Sequence, residues 1–409
     1  MRRLLYVAWA VAFALGLVGL WQRLTFGHQL AGYGSYIVWG LWVSLYIYLV
    51  GLSAGAFLLS SLVYVFNLQR LERIGKLALF TALVTLLTAL LSIWFDLGHM
   101  ERFHKVFVTP NFRSMMAWMI WLYTGYFILL VLEAYYVFRP DLVRWSKDDS
   151  IPAPQRRVAA FLTLGRADLS AETLDRERRF VRTLGTIGVP LAIAFHGGVG
   201  ALFATVSAKG YWHQSLVPVL FLTGALASGG GLLTAAVAFL WRTRDEAYRD
   251  LVALLGKMVL GLVALDVLLE WAELSIPLWY GTTPEGRLLQ QVLFGSYWWV
   301  FWIVHVGLGT LIPTALLTLR GRSPAAVGMA GLLVAGTFMS VRLNIVIPAQ
   351  IEPGLRGLER AFTGARLVFQ YAPTLHEWLV SLFVVTVGIG IFWLGYRLLP
   401  LIEMKEAPR

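Results

Sequence analysis

Ten long apolar stretches, separated by polar loops, dominate the hydropathy pattern of the chain. A helix needs about 20 mostly apolar residues to cross the hydrocarbon core of a bilayer. Stretches of this kind lie at 4–22, 36–66, 75–95, 115–138, 183–206, 216–241, 252–276, 292–319, 325–347 and 377–399. They predict an all-α integral membrane protein with ten transmembrane helices. Because no clear cleavage site follows the first stretch, we expect a retained anchor there and not a signal peptide.

Lys and Arg are divided unequally between the loops on the two sides of the predicted bundle. The side of the N-terminus carries 23 of the 34 basic residues and the opposite side carries 9. Because cytoplasmic loops are enriched in Lys and Arg, both termini are predicted to lie in the cytoplasm. The predicted location is the cytoplasmic membrane of a bacterium or archaeon. This bias accounts for the net charge of +11, so we expect the lipid bilayer and no nucleic acid as a partner. The absence of cysteine excludes a cysteine-ligated iron–sulfur cluster within the chain.

A weak internal repeat links the two halves of the sequence. The small-residue motif at 51–56 recurs at 225–230, and the same offset of 174 residues carries Asp96 onto Glu270. This pattern predicts two parallel four-helix bundles with the first and last helices as flanking additions. Chance similarity between small-residue helices explains the motif equally well. The predicted units are an anchor helix with an outward loop (1–35), a first bundle (36–206) with a cytoplasmic hairpin (139–182), a second bundle (207–347), and an outward loop with the last helix (348–409).

The seventh apolar stretch carries three carboxylates, Asp266, Glu270 and Glu273. Their spacing of i, i+4 and i+7 places them on one helix face. Three ionised carboxylates on a buried face repel each other, so at least one is expected to be protonated, as a proton-handling site requires. The structural alternative pairs them with Arg342 in the ninth stretch or, farther away, with Lys257.

Two histidines, His196 and His305, lie in the middle of the fifth and eighth stretches. They are candidates for ligating a b-type haem, for hydrogen-bonding a bound substrate, or for satisfying a neighbouring backbone carbonyl. Glu133 and Lys257 lie nearer the cytoplasmic side, where they either extend a proton path or reach the interface. The outward segment from Asp96 to Lys105 is dense in titratable groups and is either an ordinary polar junction or a binding surface.

Several motifs resemble those of the NrfD/polysulfide reductase membrane-subunit family. The run 92–99 (SIWFDLGH), continued by 110–115 (PNFRSM), is similar to that family's Asp-Leu-Gly signature. Further similar positions, in chain order, are Trp39-Gly40, 51–56, 195–198, Trp212, Pro218 and 224–229. The resemblance covers about 36–395, and the ten stretches are similar to the longer branch, which includes membrane subunits of hydrogenase and of alternative complex III.

The resemblance implies that the chain binds a quinone, either menaquinone or ubiquinone, near the outer face and holds no haem or iron–sulfur cluster itself. It also implies a ferredoxin-like iron–sulfur subunit on the outer face, with a catalytic molybdopterin, hydrogenase or multihaem cytochrome subunit in the same complex. Together with the membrane carboxylates, it gives the expected catalytic residues Asp96, His99, Asp266, Glu270 and Glu273. The expected quinone-binding residues are His196, His305, Arg342 and Asn344, and no metal ligands are expected. The run 371–377 (YAPTLHE) adds further candidates.

These observations predict the quinone-reactive subunit of a respiratory oxidoreductase, which exchanges electrons between the quinone pool and an iron–sulfur partner, with or without proton translocation. Two alternatives stay open. One is a membrane-anchor cytochrome with haem on His196 and His305. The other is a parallel-repeat secondary transporter that uses the acidic stripe as its coupling site.

Overall fold

The computed structural model describes residues 2–402 except positions 242, 282, 356 and 363. Within this part, the chain forms helices and no strand, and ten helices are long and apolar enough to cross a membrane. The ten predicted transmembrane helices are therefore confirmed. Four basic residues that entered the charge bias lie outside the described residues: Arg242, Arg356, Lys405 and Arg409.

The spanning helices are numbered here in chain order. They are α1 (Arg2–Phe26), α2 (Leu41–Tyr64), α3 (Gly75–Asp96), α4 (Met115–Lys147), α5 (Ala171–Ala204), α6 (Val217–Leu240), α7 (Glu246–Tyr280), α8 (Val300–Arg320), α9 (Pro324–Val346) and α10 (Leu375–Leu398). The short helices between them are Gln69–Ile74, Met100–Arg102, Lys105–Val108, Ala153–Leu162, Pro284–Phe294, Pro348–Ile351 and Leu358–Ala361. We call the side of the N-terminus proximal and the opposite side distal; the charge bias predicts that the distal side is the outside.

Several predicted helix ends are wrong because amphipathic helices continue beyond the apolar stretch. α5 begins at Ala171 and not near 183, since the Ser170 side chain accepts a hydrogen bond from the Thr173 amide and caps the helix. α4 continues to Lys147, so about half of the predicted hairpin 139–182 consists of two helical extensions. The loop between them, 148–170, holds the short helix Ala153–Leu162.

The eighth span differs from its prediction in both start and geometry. The predicted stretch 292–319 is interrupted after Phe294, and α8 begins at Val300. Its first part, Val300–Leu311, is a π-helix, and Ile312–Arg320 is α-helical. A π-helical turn places an extra residue in each turn and is frequent at functional sites. His305 lies inside this π-helix.

The small-residue motifs of the repeat pack directly against each other where α2 crosses α6. A Cβ atom on Gly55 would lie 2.1 Å from the carbonyl oxygen of Ala225, and one on Gly229 would lie 2.7 Å from the Cα of Gly55. Only glycine allows this approach. Around the crossing, α2 packs on α3 and α5, as α6 packs on α7 and α9. α1 and α10 pair beside α3, and the division into two related bundles stays a prediction.

Candidate functional site

Polar side chains collect in two separate places among the apolar helices. The Asp96 cluster lies at the distal ends of α1, α2, α3 and α10 and consists of Arg23, His28, Tyr33, Trp42, Asp96, Tyr371, His376 and Glu377. The Glu270 cluster lies within the second bundle and consists of His196, Thr223, Asp266, Glu270, His305 and Arg342. The sequence predicted members of both as catalytic or quinone-binding residues, and in the structure they lie in two separate clusters.

Asp96 is held at the last position of α3. Its Oδ1 accepts a hydrogen bond of 2.8 Å from the Tyr33 hydroxyl. Beside it, the buried guanidinium of Arg23 donates to the carbonyl oxygens of Phe95 at 2.7 Å and Leu97 at 2.6 Å. A cation at the carbonyl end of a helix is favourable, so Arg23 stabilises the end of α3 on which Asp96 lies.

Glu377 holds together the second side of the Asp96 cluster, which the loop before α10 and the start of α2 form. This fully buried carboxylate accepts hydrogen bonds from the Tyr371 hydroxyl and from the amide of Gly32 at 3.0 Å. The Leu41 amide donates to the Tyr371 oxygen at 2.8 Å, which ties the loop before α10 to the start of α2. Gly40 is required here because a Cβ atom would lie 2.1 Å from the Tyr371 hydroxyl.

Aromatic rings fill the space between these two sides. Tyr33 lies 5.7 Å from Trp42 and 6.2 Å from Tyr371, measured between ring centroids. The His376 ring packs on Trp42, and its Nε2 has no hydrogen-bond partner among the described residues. A pocket of about 160 Å³, lined by Tyr33 and by Arg366 among others, opens between the two distal loops. Cavities of about this size accommodate a single six-membered ring.

The titratable loop residues of the Asp96 cluster are held neutral. Burial, aided by the positive charge of Arg23, lowers the pKa of His28 to about 4. Burial and the charge of Asp96 raise the pKa of Tyr33 well above its ordinary value. Burial and the charge of Glu377 raise the pKa of Tyr371 in the same way. At neutral pH these three side chains therefore present neutral hydrogen-bonding groups.

His99 does not join Asp96. Its side chain is 64% exposed and lies 3.1 Å from the carboxylate of Glu101 on the distal surface. The segment turns away because α3 ends at Asp96, and Leu97 adopts an extended conformation. His99, predicted together with Asp96 as a catalytic residue, therefore lies on the surface outside the Asp96 cluster.

The Glu270 cluster is centred on a carboxylate–imidazole pair. Glu270 Oε2 of α7 lies 2.8 Å from His305 Nε2 of the π-helix in α8. The imidazole is 7% exposed and the carboxylate 20% exposed, so one edge of the pair reaches the lipid-facing surface. One turn earlier on α7, the buried Asp266 accepts a hydrogen bond of 3.2 Å from the Thr223 hydroxyl.

Arg342 supplies the positive charge of the Glu270 cluster. It is almost completely buried and lies close enough to Asp266 and Glu270 for the charges to interact. Its guanidinium packs 4.3 Å from the centroid of the Phe221 ring and donates to the Phe221 carbonyl at 3.3 Å. Arg342 therefore lies near the acidic stripe, as predicted. It interacts with these carboxylates electrostatically at a distance, because no ion pair within 4.0 Å joins them among the described residues.

His196 approaches the same backbone carbonyl as Arg342. Its Nε2 lies 2.8 Å from the Phe221 oxygen, and its Nδ1 has no partner among the described residues. His196 and His305 therefore direct their Nε2 atoms toward different protein groups, an arrangement that does not favour a shared haem. No group of three His, Asp or Glu side chains in the described part is arranged to hold a metal ion.

The remaining predicted site residues, Glu273 and Asn344, lie outside the two clusters. Glu273 is half-buried beyond Glu270, where both carboxylates act electrostatically on Tyr211. Asn344 is buried, and its side-chain nitrogen has no partner in the part that the structure describes. Glu133 and Lys257 do not form a continuous proton path toward the proximal side. Glu133 is buried without a hydrogen bond among the described residues, whereas Lys257 is exposed on α7.

Sequence reasoning missed Arg23, His28 and Tyr33. A topological signal was nevertheless available, because α1 and α3 both end on the distal side. The polar residues that follow α1 were thus bound to lie on the same side as Asp96. Their contact with Asp96 depends on loop geometry, which hydropathy does not encode.

Comparisons with known proteins found one family model and several relatives of similar sequence. The family model described as "Polysulphide reductase, NrfD" matches residues 29–354. A selenate reductase subunit of Mesobacillus selenatarsenatis is 35% identical over 99% of this chain and 96% of its own length. The Hdr-like menaquinol oxidoreductase integral membrane subunit of Archaeoglobus fulgidus is 26% identical over 92% and 88%, respectively. Protein NrfD of Escherichia coli is 27% identical over 77% of this chain and 96% of its own length.

Proposed function

Because the chain belongs to the NrfD polysulphide reductase family of respiratory membrane subunits, we propose that it exchanges electrons between membrane quinone and an iron–sulfur partner subunit. The observation that carries this proposal is the Asp96 cluster. There, a carboxylate, neutral donors and flat aromatic rings meet at the membrane edge beside a pocket sized for one ring.

The chemistry of quinone fits these groups. Converting a quinone to a quinol adds two electrons and two protons, so a positioned acid or base must accompany electron transfer. Asp96 exchanges a proton with the headgroup oxygen, and Tyr33, hydrogen-bonded to Asp96, orients the carboxylate. His376 Nε2, a buried atom without a hydrogen-bond partner among the described residues, is the group that we propose for the second headgroup oxygen. The relative from Archaeoglobus fulgidus is named as a menaquinol oxidoreductase subunit, so we favour menaquinone, with only the oxygen-bearing ring of its two-ring headgroup in this pocket.

The Glu270 cluster is assigned to proton transfer. The Glu270–His305 pair can pass a proton between carboxylate and imidazole, and Arg342 balances the negative charge that remains. Because Glu270 is partly exposed, it can exchange protons with the distal side along a route past Glu273. Translocation across the membrane would require a further path from Glu270 to the proximal side.

The partner is proposed to dock on the distal surface. Since no cysteine is present in the sequence, the cluster that exchanges electrons belongs to another subunit, of ferredoxin-like type. The segment 97–114 follows Asp96 directly and exposes Glu101, Arg102 and Lys105 for such a contact. A molybdopterin, hydrogenase or multihaem cytochrome subunit would complete the complex. We also propose that the protein lies in a cytoplasmic membrane with both termini in the cytoplasm.

Replacing Asp96 tests the proposal. In the purified complex, Asp96→Asn should lower turnover of a short-chain menaquinol analogue by about 100-fold, because a general acid–base group contributes roughly this much. The control is Asp250→Asn, which removes an exposed carboxylate on the proximal side. Wild-type turnover in an assembled Asp96→Asn complex would refute the assignment. The two alternatives are tested on the same sample, by a Soret band for haem and by the absence of a co-purifying iron–sulfur subunit for a transporter.

A further inference from the structure

A cavity of about 740 Å³ opens at the proximal ends of α2, α3, α4 and α5. It lies at the opposite end of these helices from Asp96, and neither cluster contributes to its lining. Its volume is in the range of ligand-binding pockets, about 300–1,000 Å³. The proposed function makes no use of it.

The lining of this proximal cavity is divided into an apolar part and a basic part. The apolar side chains come from three of the four helices and from the turn after α2; they include Val63, Leu68, Val137, Leu174 and Val181. The basic side chains are Lys76, Arg144, Arg178 and Arg182. Arg178 and Arg182 are four residues apart and therefore lie on one face of α5.

Most of the negative charge in the lining already has a fixed partner. Glu177 receives a 2.6 Å hydrogen bond from the buried guanidinium of Arg139. Asp141 pairs with Lys76 and lies 3.6 Å from Arg144. These carboxylates are therefore compensated within the protein and do not repel an anion that enters the cavity.

The charges that are left are two arginines and one exposed carboxylate. Arg178 has only an exposed contact of 3.4 Å with Asp175, and such pairs contribute little. Arg182 has no ion pair among the described residues, and Glu72 is exposed. The cavity therefore presents two available guanidinium groups beside an apolar wall.

We propose that the proximal cavity binds the phosphodiester headgroup of an anionic phospholipid, with Arg178 and Arg182 on the phosphate and the acyl chain along the apolar wall. Guanidinium groups match phosphate oxygens in geometry and charge. Basic pockets between transmembrane helices at the cytoplasmic interface recognise lipid headgroups. A free phosphate would gain nothing from the apolar wall, whereas a lipid uses both parts. Glu72 offers an acceptor for a headgroup hydroxyl, so phosphatidylglycerol is the class that fits.

Lipid binding to the purified complex tests this proposal. Native mass spectrometry of the delipidated complex, titrated with phosphatidylglycerol, should show a retained lipid that Arg178→Gln/Arg182→Gln binds roughly tenfold more weakly. The matched control is Arg157→Gln/Arg166→Gln, which removes two exposed arginines on the same side outside the cavity. Phosphatidylglycerol should also raise the Tm of the wild-type and control complexes, and not that of the cavity variant.

Each other outcome counts against the proposal. Equal affinity of the cavity variant and the control would show that binding follows overall charge and not this cavity. An equal rise in Tm with inorganic phosphate would identify a simple anion site. Equal retention of phosphatidylcholine would remove the role of the anionic headgroup.

Discussion

Asp96 and Glu270 occupy corresponding positions in the predicted internal repeat, yet their surroundings differ in kind. α3 ends at Asp96, so loops and the ends of four helices surround that carboxylate with aromatic rings. α7 continues past Glu270 to Tyr280, so this second carboxylate lies within a helix and faces an imidazole and a guanidinium. The two sites therefore differ because α3 ends at its carboxylate and α7 does not. The first surrounds its carboxylate with aromatic rings, and the second surrounds it with charged and titratable side chains.

The two clusters also differ in how their hydrogen bonds are satisfied. In the Asp96 cluster, Glu377 accepts from several donors in two loops, and among the described residues only His376 Nε2 of this cluster is a buried side-chain atom without a partner. In the Glu270 cluster, polar atoms of His196 and Arg342 have no partner among the described residues. Unpaired buried polar atoms are costly unless water or a ligand satisfies them. We therefore expect water in the Glu270 cluster, as proton transfer requires.

The sharpest test of the comparison is Glu270→Gln. We expect turnover of the menaquinol analogue to fall about 100-fold with KM nearly unchanged, because the glutamine keeps the shape but cannot exchange a proton. Asp96→Asn should instead change KM as well, since Asp96 contacts the headgroup. The measurement is steady-state kinetics of the assembled complex across pH.

Glu246→Gln, at the exposed start of α7, is the matched control for Glu270→Gln. His305→Gln should resemble Glu270→Gln, and the double variant should be no slower than either single one, because residues that act as a unit are not additive. If Glu270→Gln raised KM more than Asp96→Asn does, the roles of the two clusters would have to be exchanged.

A smaller effect is expected for Tyr33→Phe, which removes the 2.8 Å hydrogen bond to Asp96 and keeps the ring. Loss of one hydrogen bond to a charged group corresponds to about a tenfold change, here in kcat/KM. Tyr36→Phe, in the same loop, is the control because the Tyr36 ring stacks on Phe369 outside the cluster. An unchanged kcat/KM for Tyr33→Phe would mean that Asp96 needs no orientation by Tyr33.

The sequence predicted the ten helices because each is a long apolar stretch. In lipid, such a stretch must satisfy its own backbone hydrogen bonds, so it forms a helix. It also predicted the acidic face of α7, since Asp266 and Glu270 share a helix face whatever the tertiary structure. Hydropathy does not report the π-helix in α8, because the i→i+5 bonds that set the position of His305 depend on packing. Nor does it report the contact between Tyr33 and Asp96, which two loops of irregular structure create.

The smallest expected effect concerns His28 and the pH dependence of stability. The pKa of His28 is lowered to about 4 by burial and by the charge of Arg23, below its ordinary value of 6.5. Between these two values the unfolded chain binds a proton that the folded chain does not, so stability falls as pH decreases from about 6.5 to 4. In His28→Gln this contribution is absent, and Tm in detergent should decline less steeply over that interval. His99→Gln removes an exposed imidazole and should keep the wild-type slope. Parallel slopes for wild type and His28→Gln would mean that His28 is not held neutral, and the Asp96 cluster would then carry charge much as the Glu270 cluster does.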